Sequence, residues 1–349
     1  MAETPTAQTA GKRVNVAVVG LGFMGVTHLR AYLDHPLARV VAVCGQSRLP
    51  VNGILAGVAG NIKKSDDINL GQGVKVFRDF NELLADPEIE LVDICTPTLA
   101  HPGQAMAALR AGKHVFCEKP LARTSAVARE IAGVAASSRG ILMPAMCMRF
   151  WPGWAWLKQV VDEQTYGKVL AARFRRVSEK PAWCKPGSYA GDDSGGALFD
   201  LHIHDVDFVN YLFGRPHSVF SSGVAAADGS YDHVVTQYHW PDGPAVYAEG
   251  GWILTQGFNM SYTLYCERAT LDYDLARGAD ALTVAETGQP PRIVKLEGPD
   301  GYGAEVRYMI DCVAQGRAPQ VVSAHDGVTA LEICEAEEKS ARTRAVVTL

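Results

Sequence analysis

Two stretches of the chain carry side chains suited to proton transfer, and the first is Glu118-Lys119-Pro120. It follows an apolar run at 114–117, which predicts a buried strand. A lysine at such a strand end can donate to a substrate hydroxyl or carbonyl, and its charge favours the alkoxide that forms as hydride leaves carbon. The tripeptide alone leaves an equal alternative, a lysine that extends from the strand end into solvent.

The second stretch is 195–207, where Gly195-Gly196 precedes Asp200, His202 and His204. Asp200 and His204 are four residues apart, so a helix places them on one face, while His202 faces elsewhere. A carboxylate beside an imidazole orients the ring and raises its basicity, which predicts His204 as a general base. His202 is expected to be a hydrogen-bonded packing residue. The His-x-His spacing also permits zinc, but zinc pairs of this kind sit at strand ends and this one heads a helix pattern, so we predict no metal.

A glycine-rich stretch, Gly20-Leu21-Gly22-Phe23-Met24-Gly25, has the G-x-G-x-x-G pattern. It follows a β-branched run at 14–19 and opens a helix pattern at 24–33, the context that a dinucleotide-binding turn requires. The glycines permit a tight turn, close approach to a pyrophosphate and close helix–strand packing. The alternative is a strand–helix turn without a ligand. Predicted cofactor contacts from this turn are Gly20, Gly22, Phe23, Met24 and Gly25.

The end of the next strand pattern, 39–44, bears on the choice between NAD and NADP. An acidic residue about 20 residues after the glycine motif accepts from the ribose 2′-OH in NAD sites. Here the sequence reads Cys44-Gly45-Gln46-Ser47-Arg48, without an acid. Ser47 can donate a hydrogen bond and Arg48 suits a 2′-phosphate, so we favour NADP. The alternative is that Arg48 is a solvated loop residue and NAD binds through other contacts.

A further loop, Thr96-Pro97-Thr98-Leu99-Ala100-His101, follows the strand pattern at 91–95. In open parallel sheets the carboxyl ends of the strands face the ligand. His101 equally suits a role at the start of the helix pattern at 103–110, without a ligand contact. Predicted cofactor contacts from this edge are Thr96, Pro97, Thr98, His101, Glu118 and Lys119.

Alternating strand and helix patterns precede residue 147 and predict an α/β fold that begins with a Rossmann dinucleotide-binding domain at 12–147. The pattern then changes to helices and successive strands. These predict a C-terminal domain at 148–349, with an antiparallel sheet that has one helix-covered face and one free face. Segment 47–74, rich in Gly and Asn, receives no assignment. The second-domain patterns are helices at 156–163, 197–212, 304–314 and 326–342, and strands at 168–177 and within 218–294.

Composition excludes several classes of protein. The 349 residues carry a net charge of −5 and are 48% hydrophobic, which is typical of a two-domain globular protein. A pI near 6.1 gives no electrostatic reason for a nucleic acid partner, and no apolar run approaches the roughly 18 residues of a membrane span. The first eleven residues lack signal-peptide features, and the eight cysteines form no C-x-x-C pair. We therefore predict a cytoplasmic protein with neither a nucleic acid nor a membrane partner.

Three features taken together resemble the glucose–fructose oxidoreductase / inositol dehydrogenase (Gfo/Idh/MocA) family. They are the glycine motif, Glu118-Lys119-Pro120, and Gly195-Gly196 followed by Asp200 and His204. Their order and spacing carry the resemblance, which covers nearly everything from Val14 onward. The resemblance implies a Rossmann domain, a C-terminal α/β domain with an open, mostly antiparallel sheet, and a homodimer or homotetramer formed through that sheet.

The resemblance also implies a role for each site residue. Lys119 would hydrogen-bond the reacting oxygen, Asp200 would hold the histidine, and His204 would be the general base. The peptide before Pro120 is often cis in relatives. Arg149 matches part of a basic-aromatic pair at the domain junction. The chain departs from many relatives at two positions, which are His202, often glycine, and Gly45, often acidic.

Aromatic residues near the expected cleft indicate the substrate class, since aromatic faces stack on sugar rings. Predicted substrate contacts are Arg149, Trp183 and Tyr189. The whole pattern predicts an NAD(P)-dependent dehydrogenase that acts on a secondary hydroxyl of a sugar or cyclitol, with Lys119 and His204 in acid/base roles. Two alternatives stay open: a glycoside-cleaving enzyme that uses bound NAD for a transient oxidation, and a non-catalytic dinucleotide-sensing regulator, which needs no complete lysine–histidine pair.

Overall fold

The first part of the chain forms a parallel sheet flanked by helices. The computed structural model describes residues 12–58, 66–181 and 194–349, so Trp183 and Tyr189 lie outside the described residues. The described elements, in chain order, are β1 (Val14–Val19), α1 (Phe23–Leu33), β2 (Ala38–Cys44), β3 (Ile54–Leu55), β4 (Ile68–Asn69), β5 (Lys75–Phe77), α2 (Phe80–Leu84), β6 (Leu91–Ile94), α3 (His101–Arg110), β7 (His114–Glu118), α4 (Ser125–Ser137) and β8 (Leu142–Ala145).

Strands of this sheet follow the order β5-β2-β1-β6-β7-β8, and every neighbouring pair is parallel. β6 and β8 are buried along their whole length, as expected for strands covered by helices on both faces. Val19 lies opposite Cys44 and Ile94, and Ile94 lies opposite Cys117. The carboxyl ends therefore meet at one edge, and the loops after β1, β2, β6 and β7 come together there.

The second part contains a larger mixed sheet. Its elements are α5 (Pro152–Asp162), β9 (Val169–Ser178), α6 (Ile203–Phe213), β10 (Ser218–Ala225), β11 (Tyr231–His239), β12 (Ala245–Gly251), β13 (Phe258–Cys266), β14 (Ala269–Asp274), β15 (Leu282–Glu286), β16 (Arg292–Val294), α7 (Gly301–Gln315), α8 (Ala324–Thr343) and β17 (Val347–Thr348). Within the described residues the strand order is β16-β15-β14-β13-β9-β12-β11-β10-β17. Of the described strand pairs in this sheet, β9–β12 alone is parallel, so the prediction of a mostly antiparallel sheet is confirmed.

One face of this sheet packs on helices and the other is open. Phe174, Tyr262 and Leu264 point to the helix side and are fully buried, whereas Tyr247 and Tyr265 on the other side are exposed. The last two helices return to the first part, since α7 packs on α1 and α8 packs on α4. Both parts are thereby held together around the strand ends. None of the helices in the described ranges is long and apolar enough to cross a membrane.

Three elements differ from the sequence-based expectations. The helix expected at 156–163 begins earlier, at Pro152, because proline suits the first turn of a helix. The helix expected at 197–212 begins as a π-helical turn, Leu198–His202, before α6. Its i→i+5 pattern changes which side chains share a face. Segment 47–74, left unassigned, contains the short antiparallel pair β3–β4.

Candidate active site

The glycine turn after β1 fits a dinucleotide pyrophosphate. Gly20 has φ +91°, and a Cβ there would lie 2.5 Å from the Cys95 carbonyl oxygen. A Cβ on Gly25 would lie 1.9 Å from the Gly20 carbonyl oxygen, so α1 packs against the turn only with glycine there. A Cβ on Gly22 would meet nothing within 4 Å, and no side chain caps α1 at that residue. Free N–H groups of the first turn, at Phe23 and Met24, therefore border open space suited to an anion.

The end of β2 gives Arg48 a structural role that the sequence did not predict. Its Nε donates to the Leu21 carbonyl at 3.1 Å, and its Nη2 donates to the Ala56 carbonyl at 2.5 Å. Much of the guanidinium is therefore used to tie this loop to the glycine turn, and among the described residues only Nη1 has no carbonyl partner. Ser47 is exposed beside it.

His101 is not a ligand contact, which corrects the prediction. Its Nδ1 lies 2.8 Å from the Pro120 carbonyl oxygen, and its Nε2 lies 2.7 Å from the Thr96 carbonyl oxygen. With both nitrogens occupied by backbone and the ring buried, His101 joins the loop after β6 to the turn after β7. The Thr96 hydroxyl is also engaged, with Gln104 at 2.6 Å. Pro97 is exposed at this edge and Thr98 begins a short 3-10 turn, so both stay predicted contacts.

Lys119 reaches across the cleft to the head of α6. Its Nζ donates to the Asp200 carbonyl at 2.6 Å and to Asp200 Oδ1 at 3.0 Å. Burial alone would lower the pKa of Lys119, but the charges of Asp200 and Glu118 outweigh it and raise that pKa. Lys119 is therefore a fixed ammonium. The Lys119–Pro120 peptide is cis.

Asp200 holds Lys119 rather than His204, which corrects the predicted role. No hydrogen bond joins Asp200 to His204 among the described contacts, and Asp200 lies in the π-helical turn, where the four-residue spacing no longer puts two side chains on one face. His204 has Cys147 Sγ 3.9 Å from its Nδ1. Burial, then the charges of Lys119 and Arg176, hold the pKa of His204 well below its usual value. His204 is a neutral imidazole near an ammonium.

Arg149 is pinned inside the protein, so the predicted substrate contact is wrong for its side chain. Nε and Nη2 form a bidentate pair with Asp207 at 2.9 and 2.6 Å. Nη2 also donates to Asp326 at 3.0 Å, and Nη1 donates to the Val321 carbonyl. The guanidinium also stacks over Tyr211, so each of its three nitrogens already donates within the protein and the buried side chain is not placed for a substrate. Arg149 joins the domain junction to α6 and α8.

Sequence reasoning missed a buried histidine, His28 on α1, that lies behind this edge. Its Nδ1 is 2.9 Å from Asp93 Oδ2, and its Nε2 is 3.4 Å from Glu118 Oε1. Glu118 Oε2 accepts the backbone N–H of Lys119 at 3.1 Å. The Glu118 carboxylate is therefore engaged inside the protein and is not the predicted cofactor contact. Asp93 could have signalled the cluster, because a carboxylate inside an apolar strand needs a partner.

His202, four residues before Val206, packs as predicted. The ring is fully buried, and its Nε2 lies 3.4 Å from both Tyr238 Oη and Glu337 Oε2. It therefore faces away from Lys119, toward β11 and α8.

The seven described cysteines are unpaired.

Comparison with known proteins identifies the family of this chain. A family described as "Oxidoreductase family, NAD-binding Rossmann fold" (GFO_IDH_MocA) matches residues 14–146, and the GFO/IDH/MocA C-terminal domain matches 154–272. The myo-inositol 2-dehydrogenase of Thermotoga maritima is 26% identical over 96% of this chain and 98% of its own length. The levoglucosan dehydrogenase of Pseudarthrobacter phenanthrenivorans is 31% identical over 58% of this chain, and the match spans about half, 52%, of that relative.

Among solved structures, a levoglucosan dehydrogenase in complex with NADH superposes with a TM-score of 0.82 over 97% of this chain and 99% of that chain, at 21% identity. The likeness confirms the predicted two-part α/β fold. The family matches confirm the predicted NAD(P)-dependent oxidoreductase. The chain belongs to the Gfo/Idh/MocA family of oxidoreductases.

Proposed function

We propose that this chain is a dehydrogenase that transfers hydride between a secondary hydroxyl of a sugar or cyclitol and NAD(P). The observation that carries the proposal is a cationic Lys119, fixed by Asp200, beside a neutral His204. A hydroxyl between them meets a base for its proton and a cation for the charge left on oxygen. That pairing suits oxidation of an alcohol.

Each residue of this site then has a defined task. An imidazole nitrogen of His204 takes the hydroxyl proton, and returns it when a ketone is reduced. Lys119 Nζ donates to the same oxygen, and Asp200 keeps that ammonium from turning into solvent. The bound dinucleotide supplies the hydride acceptor at its nicotinamide ring. The turn at Gly20, Gly22 and Gly25 holds the pyrophosphate.

The names of the relatives support the substrate class. Levoglucosan is a sugar derivative and inositol a cyclitol, and relatives that carry both names match this chain. A panel of such polyols with NAD and with NADP, read by the absorbance of the reduced nicotinamide, tests the proposal. Turnover that Lys119→Ala lowers at least about tenfold supports it. Tight dinucleotide binding without turnover of any polyol contradicts it and favours the sensing regulator. Glycoside cleavage without net cofactor reduction favours the other alternative.

We further propose a preference for NADP. A side chain at Gly45 would place its Cβ 2.7 Å from the Arg48 carbonyl oxygen and 3.3 Å from Leu21, so this loop conformation excludes a ribose-binding carboxylate there. Exposed Ser47 and the Nη1 group of Arg48 remain as donors. NADP is expected to raise the melting temperature more than NAD at equal concentration. A larger rise with NAD contradicts this preference.

The open face of the C-terminal sheet supports the proposed self-association. Four large apolar side chains on this face are 40% to 59% exposed: Phe220, Val224, Tyr247 and Tyr265. Several exposed apolar side chains on one face form a patch, and such patches mark protein–protein interfaces. We propose a homodimer or homotetramer formed there, with domains of 12–147 and 148–349. Tyr247→Glu should lower the mass measured by light scattering to that of a monomer, and an unchanged mass contradicts this interface. Unpaired cysteines support the proposed cytoplasmic location.

A further inference from the structure

A buried chain of polar contacts lies behind Lys119, and the proposed reaction does not use it directly. His28 is fully buried, and its ring stacks on Phe116 of β7 with centroids 5.1 Å apart and planes at 17°. This stacking fixes the directions of both ring nitrogens. Nδ1 faces Asp93 at 2.9 Å and Nε2 faces Glu118 at 3.4 Å.

Glu118 contacts both His28 and the backbone of the catalytic lysine, Lys119. Its Oε1 faces His28, and its Oε2 accepts the N–H of Lys119 at 3.1 Å. A buried carboxylate is stable only with a cation or several donors, and here the His28 ring forms an ion-pair contact at 3.4 Å while the Lys119 backbone N–H donates the hydrogen bond. If the His28 contact is lost, the Glu118 side chain loses the group that fixes its orientation.

We propose that His28 is a positioning residue for the reaction: through Glu118 it fixes the backbone of Lys119, and so aims the ammonium at Asp200 and the reacting oxygen. His28 is 91 positions from Lys119 in the sequence. Because it is fully buried, it does not contact the substrate or the cofactor. The proposal rests on the role given to Lys119 under the proposed function.

The charges around His28 favour a ring that donates from both nitrogens. The groups that face it are Tyr32 on α1, Asp93 and Cys95 at β6, Glu118 on β7 and Glu305 on α7. Burial alone would lower the pKa of His28, but Asp93 and then Cys95 outweigh it and raise that pKa well above its usual value. Burial, with the charge of Glu118, also raises the pKa of Glu305.

Two substitutions at His28 distinguish the contribution of its Nδ1 from that of its Nε2. His28→Asn places an amide nitrogen near the position of Nδ1 and removes the group that faces Glu118. His28→Gln extends to the position of Nε2 and keeps that group. His114→Asn, at the opposite end of β7, is the matched control, because asparagine keeps an acceptor for the Ile141 N–H. Thermal melting establishes that each variant is folded.

Hydrogen exchange of the Lys119 amide, measured on the ligand-free chain by mass spectrometry, tests the proposal without activity. Pro120 has no N–H, so a peptide that spans both residues reports Lys119 clearly. We expect His28→Asn to raise this exchange rate about tenfold, and His28→Gln and His114→Asn to leave it near the wild-type rate. An unchanged rate in His28→Asn overturns the proposal. If His28→Asn does not fold, His28→Leu takes its place, because it removes both ring nitrogens without leaving a buried polar group at this position: raised exchange supports the proposal, and wild-type protection overturns it.

Kinetics give the second readout. His28→Asn should lower kcat about tenfold with nearly unchanged dinucleotide affinity, and should have little further effect in a Glu118→Gln background. Equal losses in both backgrounds overturn the proposal, because His28 then does not act through Glu118. A wild-type chain that turns over no polyol contradicts the proposed function instead, and the exchange rates still decide the role of His28.

Discussion

His204 lies near the charge of Lys119, and His28 contacts Glu118, the residue before Lys119, yet their surroundings drive the two histidines to opposite protonation states. Burial lowers the pKa of both rings. Near His204 the charges of Lys119 and Arg176 lower it further. Near His28 the charge of Asp93, with a smaller contribution from Cys95, reverses the effect of burial and raises it. One histidine is therefore a neutral base, and the other is a buried cation.

Burial is common to both rings, so the sign of the neighbouring charges determines which histidine is neutral and which is charged. Arg176 is itself buried and paired with Asp205 at 2.8 Å, so its charge is fixed in place near His204. Asp93 is equally fixed near His28. Removal of the positive charges near His204 should raise its pKa, and removal of the negative charge near His28 should lower its pKa.

The largest effect is expected from removal of the base. His204→Asn should lower kcat by about 10²- to 10⁴-fold, because no other group is placed to take the hydroxyl proton. The measurement is steady-state reduction of NAD(P) with the best polyol. His217→Asn, an exposed histidine after α6, is the control and should keep full activity. Turnover within twofold of wild type in His204→Asn would remove His204 from the mechanism.

Removal of the neighbouring cation should have a smaller effect on rate and a distinct effect on pH dependence. Lys119→Ala should lower kcat at least about tenfold with near-normal dinucleotide binding. Since Lys119 lowers the pKa of His204, its loss should raise that pKa and move the acid limb of kcat/KM to higher pH. The pH–rate profiles of both proteins check this. An acid limb that stays in place or moves down argues against coupling between the two residues.

The smallest effect concerns stability and comes from His28. A raised pKa in the folded state means that its contribution is complete below the unfolded pKa of about 6.5 and is lost as pH rises through the folded value. His28→Gln should therefore lower the melting temperature most at acidic pH, with a difference from wild type that shrinks as pH rises. Melting curves across pH give this difference. A gap that widens with rising pH would show a neutral His28.

The sequence predicts the local parts of the site well. The turn at 20–25 is recognised because a buried strand, three glycines and a helix are consecutive, and the structure gives a steric reason for Gly20 and Gly25 and open space beside Gly22. Lys119 and Asp200 are 81 residues apart, so their contact has no local signal. The resemblance to a family placed both at the site but not their hydrogen bond.

The errors have one physical cause, which is that a sequence does not reveal which polar groups converge. The sequence alone suggests that Arg149 is available for a ligand, but in the fold its guanidinium pairs with Asp207 and Asp326. His101 likewise suggests an available imidazole, but in the fold its two nitrogens lie against backbone carbonyls. The π-helical turn before α6 is set by packing, so the expected Asp200–His204 pair was wrong. Asp93, a charge inside an apolar strand, was the one visible sign of the cluster around His28.

NMR titration of the histidine rings in the wild-type protein measures the protonation states of His204 and His28 separately. Assignment by His204→Asn and His28→Gln identifies the two signals. The charges described here predict a His204 that stays neutral until the pH is well below 6.5, and a His28 that stays protonated well above 6.5. A His204 that is protonated at neutral pH, or a His28 that is neutral there, contradicts the account.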